Sequence, residues 1–488
     1  MFRSSLAVAA LSMASVSAQD PIEPELKKIT EVFALVEKSA ADPVNSRQAF
    51  FAGAIPGMLR RLDPHSIFLD PDQYEQLKQM EKSERKGFGS VVSVLPGRVI
   101  VLQTVAGTPS AKAGLSPGDE ILAINRIPLS RLEFEQLVQL LTEARQHTVG
   151  LDVRRPGNAR LLQFTLTPEL VDSPSVDRAY MLKPGIAYVR VASFEGKTAE
   201  LLKSEIEKLG GASLKGLVLD FRNNPGGVVD AALKMAALFL KPGQRILSIK
   251  GRSMKGDEVD VPKDATPWTW PIAVLINAKT ASAAEIVAGA LQDHDRADVV
   301  GEASFGKGLV QSVYNLSSNT AVALTTAFYY TPSGRSIQHP LEGVQLGPAI
   351  VKSTVEYKTD AGRIVTGGGG IQPDSVVMPD SVSRLRAVLD ASGVLTGFAT
   401  EYTQKNKVAE DFQVSGGLMD DLKVWLDDHK IQPSVAEWLK EKAWIESRLQ
   451  QEIMTLALSV EKGDEVEARR DPVVQKAVAL IVAANERR

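Results

Sequence analysis

The 488-residue sequence has no cysteine, which excludes disulfides and a lipidated N-terminal cysteine. Histidine is scarce: His65, His147, His294, His339 and His429 are the five present. None of them falls in an H-E-x-x-H pattern or any other compact ligand spacing, so the sequence implies no metal and no cofactor. Charge of one sign is lacking too. The formal net charge is -3 with the signs interspersed, and phosphate neutralisation needs a basic stripe that is absent, which argues against nucleic acid as a partner. Nowhere does an apolar run approach the ~18 residues that suggest a transmembrane segment.

What is present is a large apolar fraction, 44% of residues, ample for the cores of two to four domains. The opening MFRSSLAVAALSMASVSAQD has one arginine, a short apolar run from Leu6 to Ala14, and small residues ending at Ala18. That is the layout of a cleavable secretory signal over residues 1–18, with a buried N-terminal helix as the ordinary alternative. The expectation is a soluble mature protein that is periplasmic or otherwise exported.

Residues 19–85 read as a mostly helical region, in which ELKKITEVFALVEKSA and RQAFFAGAIPGMLRRL repeat apolar residues at helical spacing. From Gly87 the pattern changes to short strands separated by glycine turns. Within it, SAKAGLSPGDEILAINRIPL resembles the central signature of a PDZ domain, placed at residues 86–168. In that family a loop ahead of a strand offers backbone N–H groups to a peptide's terminal carboxylate, and the peptide adds as an extra strand. The matching loop is Gly87-Phe88-Gly89-Ser90, and a small sheet domain without a ligand is the plainer reading. Residues 169–385 alternate strands and helices, the pattern of an α/β core. Residues 386–488 read as a C-terminal helical region: Ser434-Val-Ala-Glu437 forms a capping box ahead of Trp438, Leu439, Ile445, Leu449 and Ile453, expected on one helical face. That face suits a cap on the core or a homodimer contact.

The chemistry concentrates in NAKTASAAEIVAGALQDHDRADVVGEASFGKGLVQ, residues 277–311. A strand turning into SAAEIVAGALQDH leaves Ser282 at a helix N-terminus, among free N–H groups that suit a developing oxyanion. Ser282-Ala283-Ala284-Glu285 equally fits an ordinary capping box. Downstream, Lys307 precedes a strand, and alternation puts Lys307, Leu309 and Gln311 on one face. Burial can lower a lysine pKa from ~10.4 toward ~7 to 8, where the neutral amine accepts a hydroxyl proton, and Ser-Lys pairs are a recognised nucleophile-base arrangement. For a lysine in a glycine turn, solvated surface is the ordinary state. Gly301 to Lys307 begins like a phosphate-binding loop but continues with Gly308 rather than Ser or Thr, and a strand follows instead of a helix. His294 ends the helix that Ser282 begins, about 18 Å away, too far to act as its base. His65 reads as structural.

Five ordered blocks carry a second resemblance: LDPHSIFLDP, the PDZ signature, LVLDFRNNPGGVVDAALKMAALFL, the 277–311 stretch, and LTTAFYYTPSGRSIQ with GGIQPD. Over roughly residues 45 to 380 the chain resembles the carboxyl-terminal processing proteases, tail-specific serine peptidases with a PDZ domain and a Ser-Lys core. The resemblance implies a mixed α+β multidomain chain: a crotonase/ClpP-like α/β protease core, an inserted PDZ domain, and helical N- and C-terminal regions. It implies Ser282 as nucleophile, Lys307 as base and Gln311 as its partner. An oxyanion hole is implied from Ala283 and the Asn224-Pro225-Gly226-Gly227 turn, with Gly226 and Gly227 both candidates. The expected partners are polypeptides bound by their C-termini, with an adaptor that delivers cargo left open. A catalytically silent PDZ scaffold and a crotonase-like thioester enzyme are the other function classes. The stretch His339 to Gly368 is longer than in the simplest members.

Overall fold

The computed structural model describes residues 22–81, 84–172, 174–252, 256–341, 356–378 and 381–487. The expected signal segment, residues 1–18, lies outside the described residues. Among them no helix is long and apolar enough to cross a membrane.

The α/β core is built on a six-stranded sheet in the order Val176–Lys183, Ile186–Val191, Gly216–Asp220, Ile272–Ile276, Ala297–Gly301, Ser375–Val376. The first pair is antiparallel and the remaining pairs are parallel. Gly216–Asp220 and Ile272–Ile276 are buried at every residue, as continuous apolar runs in a parallel sheet covered on both faces should be. One face packs against the helices Thr198–Lys208, Val229–Ala237 and Ala283–Asp293 around Phe194, Leu202, Met235 and Val287. The other face is covered by the last helix, Pro472–Glu486, through Val474, Ala477, Val478 and Ile481.

A second sheet places Ile67–Leu69, Leu309–Asn315 and Arg245–Lys250 against the long strand Ala321–Tyr330. The N-terminal region, read from sequence as helical, thus contributes a strand to the core. Within the long His339–Gly368 stretch a short hairpin pairs Tyr357–Lys358 with Ile364–Val365. Two-residue strands carry too little periodicity to be seen in a sequence.

The PDZ sheet runs Ser90–Leu95, Arg98–Thr104, Glu120–Ile124, Val149–Arg154, Leu162–Leu166, so Ser90–Leu95 is an edge strand. Its chain enters through Glu84–Gly87 and leaves through Glu169–Asp172, which pair with each other as an antiparallel ribbon. The helices Arg384–Ser392, Val394–Lys405, Gly416–Asp428 and Val435–Ala457 share a separate apolar cluster, which also takes Leu102 of the PDZ sheet. Arg98 Nη2 donates to the Ser392 carbonyl at 2.5 Å, and the Gln103 amide oxygen accepts from the Val460 N–H at 3.1 Å. The C-terminal helices therefore cap the PDZ unit and the core sheet of their own chain.

The Ser434–Glu437 capping box forms. Trp438, Ile445, Leu449 and Ile453 are buried as expected, whereas Leu439 is 66% exposed. Leu439 follows Trp438 directly, and 100° of helical rotation carries it off the stripe that Trp438 shares with Ile445.

Leu449 is fully buried in this cluster. Leu449→Ala is expected to cost about 2 to 5 kcal/mol, read as a lower urea midpoint in the fluorescence of Trp438 and Trp444, which pack there.

Candidate active site

Two sheet strands end side by side, and the turns that follow them meet. After Gly216–Asp220 comes Arg222-Asn223-Asn224-Pro225-Gly226-Gly227; after Ile272–Ile276 comes the approach to Ser282. Polar contacts lace the two turns together. Asn277 Oδ1 accepts from the Asn223 N–H at 2.9 Å, Thr280 Oγ1 donates to the Phe221 carbonyl at 2.8 Å, and the Ala281 N–H donates to the Asn224 carbonyl at 2.9 Å. A Cβ on Gly226, whose φ is +94°, would lie 2.8 Å from Ser282 Cβ and 2.9 Å from Ala283 N. Only glycine permits that approach. The Gly226 N–H already donates to Asn224 Oδ1 at 2.8 Å. Among the described residues the N–H groups of Gly227 and Ala283 have no protein acceptor.

Ser282 is the N-cap of Ala283–Asp293, with φ 55° and ψ -116°. That is a costly conformation for a side-chain-bearing residue, of the kind that persists only where surrounding contacts enforce it. The enforcing group is Glu285, a fully buried carboxylate. Its Oε2 accepts from the N–H of Ser282 (2.8 Å) and of Lys307 (2.9 Å), and its Oε1 from Ser304 Oγ (2.5 Å) and the Gly306 N–H (2.7 Å). Burial pushes the Glu285 carboxyl up, and these donors hold it down in part. The helix cap and the candidate nucleophile are therefore one residue rather than rival readings.

Tyr329, fully buried, reaches both segments: its hydroxyl lies 2.7 Å from the Lys307 carbonyl and 3.2 Å from the Ser282 carbonyl. Ser304 Oγ also accepts from the Ile371 N–H at 2.6 Å, which ties the GGIQPD block to the site.

Lys307 Nζ donates to Gln311 Oε1 at 2.8 Å, and Gln311 Nε2 donates to the His65 carbonyl at 2.6 Å. The amide is thereby oriented with its oxygen toward the amine. Burial pushes the Lys307 pKa below its ordinary value, against the opposing pull of Asp63 and Glu285. The His65 imidazole is likewise held below its usual value, first by burial and then by Lys307. Asp63 fixes this loop: Oδ1 accepts from the N–H groups of His65 (2.7 Å) and Ser66 (2.9 Å) and from Thr325 Oγ1 (3.1 Å), and Oδ2 from Ser66 Oγ (2.6 Å).

The structure thus brings Lys307 and Gln311 together, and sets Gly226 and Ala283 against Ser282. Leu309 is buried, while Lys307 lies before the strand and the pairing with Ala321–Tyr330 is irregular between Val310 and Gln311, so simple alternation does not set these side chains on one face. His294 caps the far end of the Ser282 helix, with Nδ1 on Asp360 and Nε2 on the Arg245 carbonyl, each at 2.7 Å. Asp63, Ser304 and Tyr329 went unnamed in the sequence, and Glu285 was named there only as a capping residue. All four sit in the blocks that carry the resemblance, but their contacts span up to 262 positions. Among the described residues no group of three or more His, Asp or Glu gathers to hold a metal.

In the PDZ unit, Gly87 ends the ribbon and Ser90 starts the edge strand, with Phe88 and Gly89 between. Their carbonyls accept from the N–H groups of Ser110 (2.9 Å) and Val105 (2.8 Å). Their own N–H groups have no acceptor among the described residues.

Comparison with known proteins gives the family. A model of peptidase family S41 matches residues 185–351, and a PDZ domain model matches residues 77–154. The carboxy-terminal-processing protease of Bartonella bacilliformis is 35% identical over 360 residues, covering 71% of this chain and 79% of that protein. The chain belongs to the carboxy-terminal-processing proteases. The Synechocystis carboxyl-terminal-processing protease is 33% identical over 359 residues, covering 71% of this chain and 83% of that one. Among solved structures, the photosystem II D1 C-terminal processing protease is 26% identical, covers 76% of this chain and 91% of its own, and gives a TM-score of 0.40. This carboxy-terminal-processing protease is a serine-type peptidase, and its PDZ and peptidase units fit polypeptide substrates.

The lowered Lys307 pKa has a consequence for stability. Between the folded value and the unfolded value of about 10.4, the unfolded chain binds a proton that the folded chain does not, so wild-type stability gains with pH across that window. Lys307→Met removes this titration. The variant is expected to be more stable than wild type at pH 7, with the gap narrowing as pH approaches about 10; paired urea titrations across that range measure it, and a gap independent of pH would contradict burial as the cause.

Proposed function

We propose that this protein is an exported, periplasmic-type serine endopeptidase that captures polypeptides by their C-terminal ends and cleaves them through an acyl-enzyme. The observation that carries the reading is the Lys307 amine: half-buried, lowered in pKa by that burial, and hydrogen-bonded to an amide oxygen that cannot neutralise it. A lysine so placed suits the work of imidazole, because burial favours its neutral form.

In this mechanism Ser282 Oγ attacks the scissile carbonyl while Lys307 Nζ takes its proton. The oxyanion that forms is met by the unpaired N–H groups of Ala283 and Gly227, aided by the helix N-terminus. Gly226 serves by close approach, since its own N–H is committed to Asn224. Collapse of the tetrahedral adduct breaks the peptide C–N bond, and the leaving amine receives the proton from Lys307. Water then attacks the Ser282 ester, giving a proton to Lys307, which returns it to Ser282 as the carboxylic product departs. Gln311 orients the amine.

The PDZ loop supports the capture step. The unpaired N–H groups of Phe88 and Gly89 suit a terminal carboxylate, and the open edge of Ser90–Leu95 suits an added strand. The secretory pattern of residues 1–18 supports export.

An unstructured substrate with an apolar C-terminal tail tests the proposal. Ser282→Ala and Lys307→Ala are each expected to lose on the order of 10³-fold or more in kcat/KM. Wild-type kcat/KM is expected to rise with pH through the lowered Lys307 pKa and then level, since only the neutral amine accepts the proton. Undiminished cleavage by Lys307→Ala would remove Lys307 from the chemistry.

A further inference from the structure

The turn that carries Gly226 and Gly227 is tied on its far side to the last helix of the chain. Arg222 opens this turn two residues after the end of the sheet strand Gly216–Asp220. Its Nε lies 3.1 and 3.0 Å from the two Asp220 oxygens, and its Nη2 donates to Asp220 Oδ2 at 2.6 Å. Tyr188 donates to the same Oδ2 at 2.7 Å. Asp220 is thereby saturated, and the remaining edge of the guanidinium, Nη1, donates to Asp471 Oδ2. Asp471 is the N-cap of Pro472–Glu486, with its other oxygen accepting from the N–H of Val473 at 2.8 Å and Val474 at 3.4 Å. One carboxylate oxygen thus caps a helix and the other holds an arginine 249 positions away.

Arg222 and Asn223 border a polar cavity of about 570 Å³ that Tyr188, Asp220, Asn277 and Asp471 also line. On this side Arg222 and Asn223 lack the close apolar packing that fixes most core segments, and charged hydrogen bonds take its place. The helix that supplies Asp471 is itself rigidly seated, with Val474, Ala477, Val478 and Ile481 packed on the core sheet. It lies outside both matched family regions.

We propose that Asp471 is a positioning residue for the oxyanion turn, acting through Arg222, so that the C-terminal helix is part of the catalytic scaffold. The proposal rests on the peptidase reading above for its kinetic consequence. Without the Asp471 oxygen, the Nη1 edge of Arg222 faces the cavity, and the backbone five residues before Gly227 loses its lateral tether. A small drift of a donor aimed at a developing charge costs rate while leaving ground-state binding unaltered.

Asp471→Asn separates the clamp from the cap, because asparagine caps a helix as well as aspartate does but presents no carboxylate to Arg222. The full-length variant is expected to keep the wild-type melting temperature and KM, to lose on the order of tenfold in kcat, and to show faster amide exchange confined to residues 221–228. Adding Asp471→Asn to Arg222→Gln should lower kcat no further than Arg222→Gln does alone. Unchanged exchange over 221–228 would overturn the clamp, as would a lowered melting temperature with kcat per active site intact, which marks a structural role only. If wild type shows no Ser282-dependent cleavage, the peptidase reading falls, while the exchange comparison still decides the clamp.

Discussion

A buried carboxylate must be saturated with donors or its desolvation is ruinous, and Glu285 meets that demand by drawing on two distant segments at once. Its donors come from the start of the Ser282 helix and from the Ser304–Lys307 turn. Separating those segments would orphan a carboxylate in the core, so the fold has no inexpensive way to part them. Tyr329 adds a second brace from a third segment. The unusual backbone angles of Ser282 persist under this enforcement, and the amine of Lys307 inherits a fixed origin.

The same economy appears around the amine. Burial lowers a lysine pKa only where no carboxylate meets the amine at contact distance, because a tight ion pair would hold the proton. Lys307 is hydrogen-bonded to an amide, and that amide is oriented by the His65 carbonyl, a neutral acceptor. Asp63 exerts its upward pull on the lysine, yet its oxygens are occupied by the N–H groups of His65 and Ser66 and by two hydroxyls. The negative charge is spent on shaping the loop.

The parts of this design that a sequence displays are the local ones. The continuous apolar runs at Gly216–Asp220 and Ile272–Ile276 announce buried parallel strands, Ser282 precedes an evident helix, and Lys307 and Gln311 sit at strand spacing. Glu285 was legible as a capping residue, because that role depends on a three-residue interval. Its bonds to Ser304, Gly306 and Lys307 were illegible, since they depend on how two chain segments cross. The Asp63 loop and the Arg222–Asp471 pair were hidden for the same reason: no local periodicity records a contact between positions hundreds of residues apart. That the Gly226 N–H is already claimed by a neighbouring asparagine while the Gly227 N–H is not was likewise invisible in the sequence. Leu439 failed as a core residue because an apolar side chain next to a true stripe position looks the same in a linear pattern.

The antiparallel ribbon of Glu84–Gly87 with Glu169–Asp172 sets Gly87 directly opposite Glu169. A unit whose first and last residues are neighbours can be lifted out, exchanged or lengthened while the chain on either side keeps its path. Such a connection suits a PDZ unit inserted as one piece, and leaves its Gly87–Ser90 loop free to diverge without disturbing the segments that carry Ser282 and Lys307.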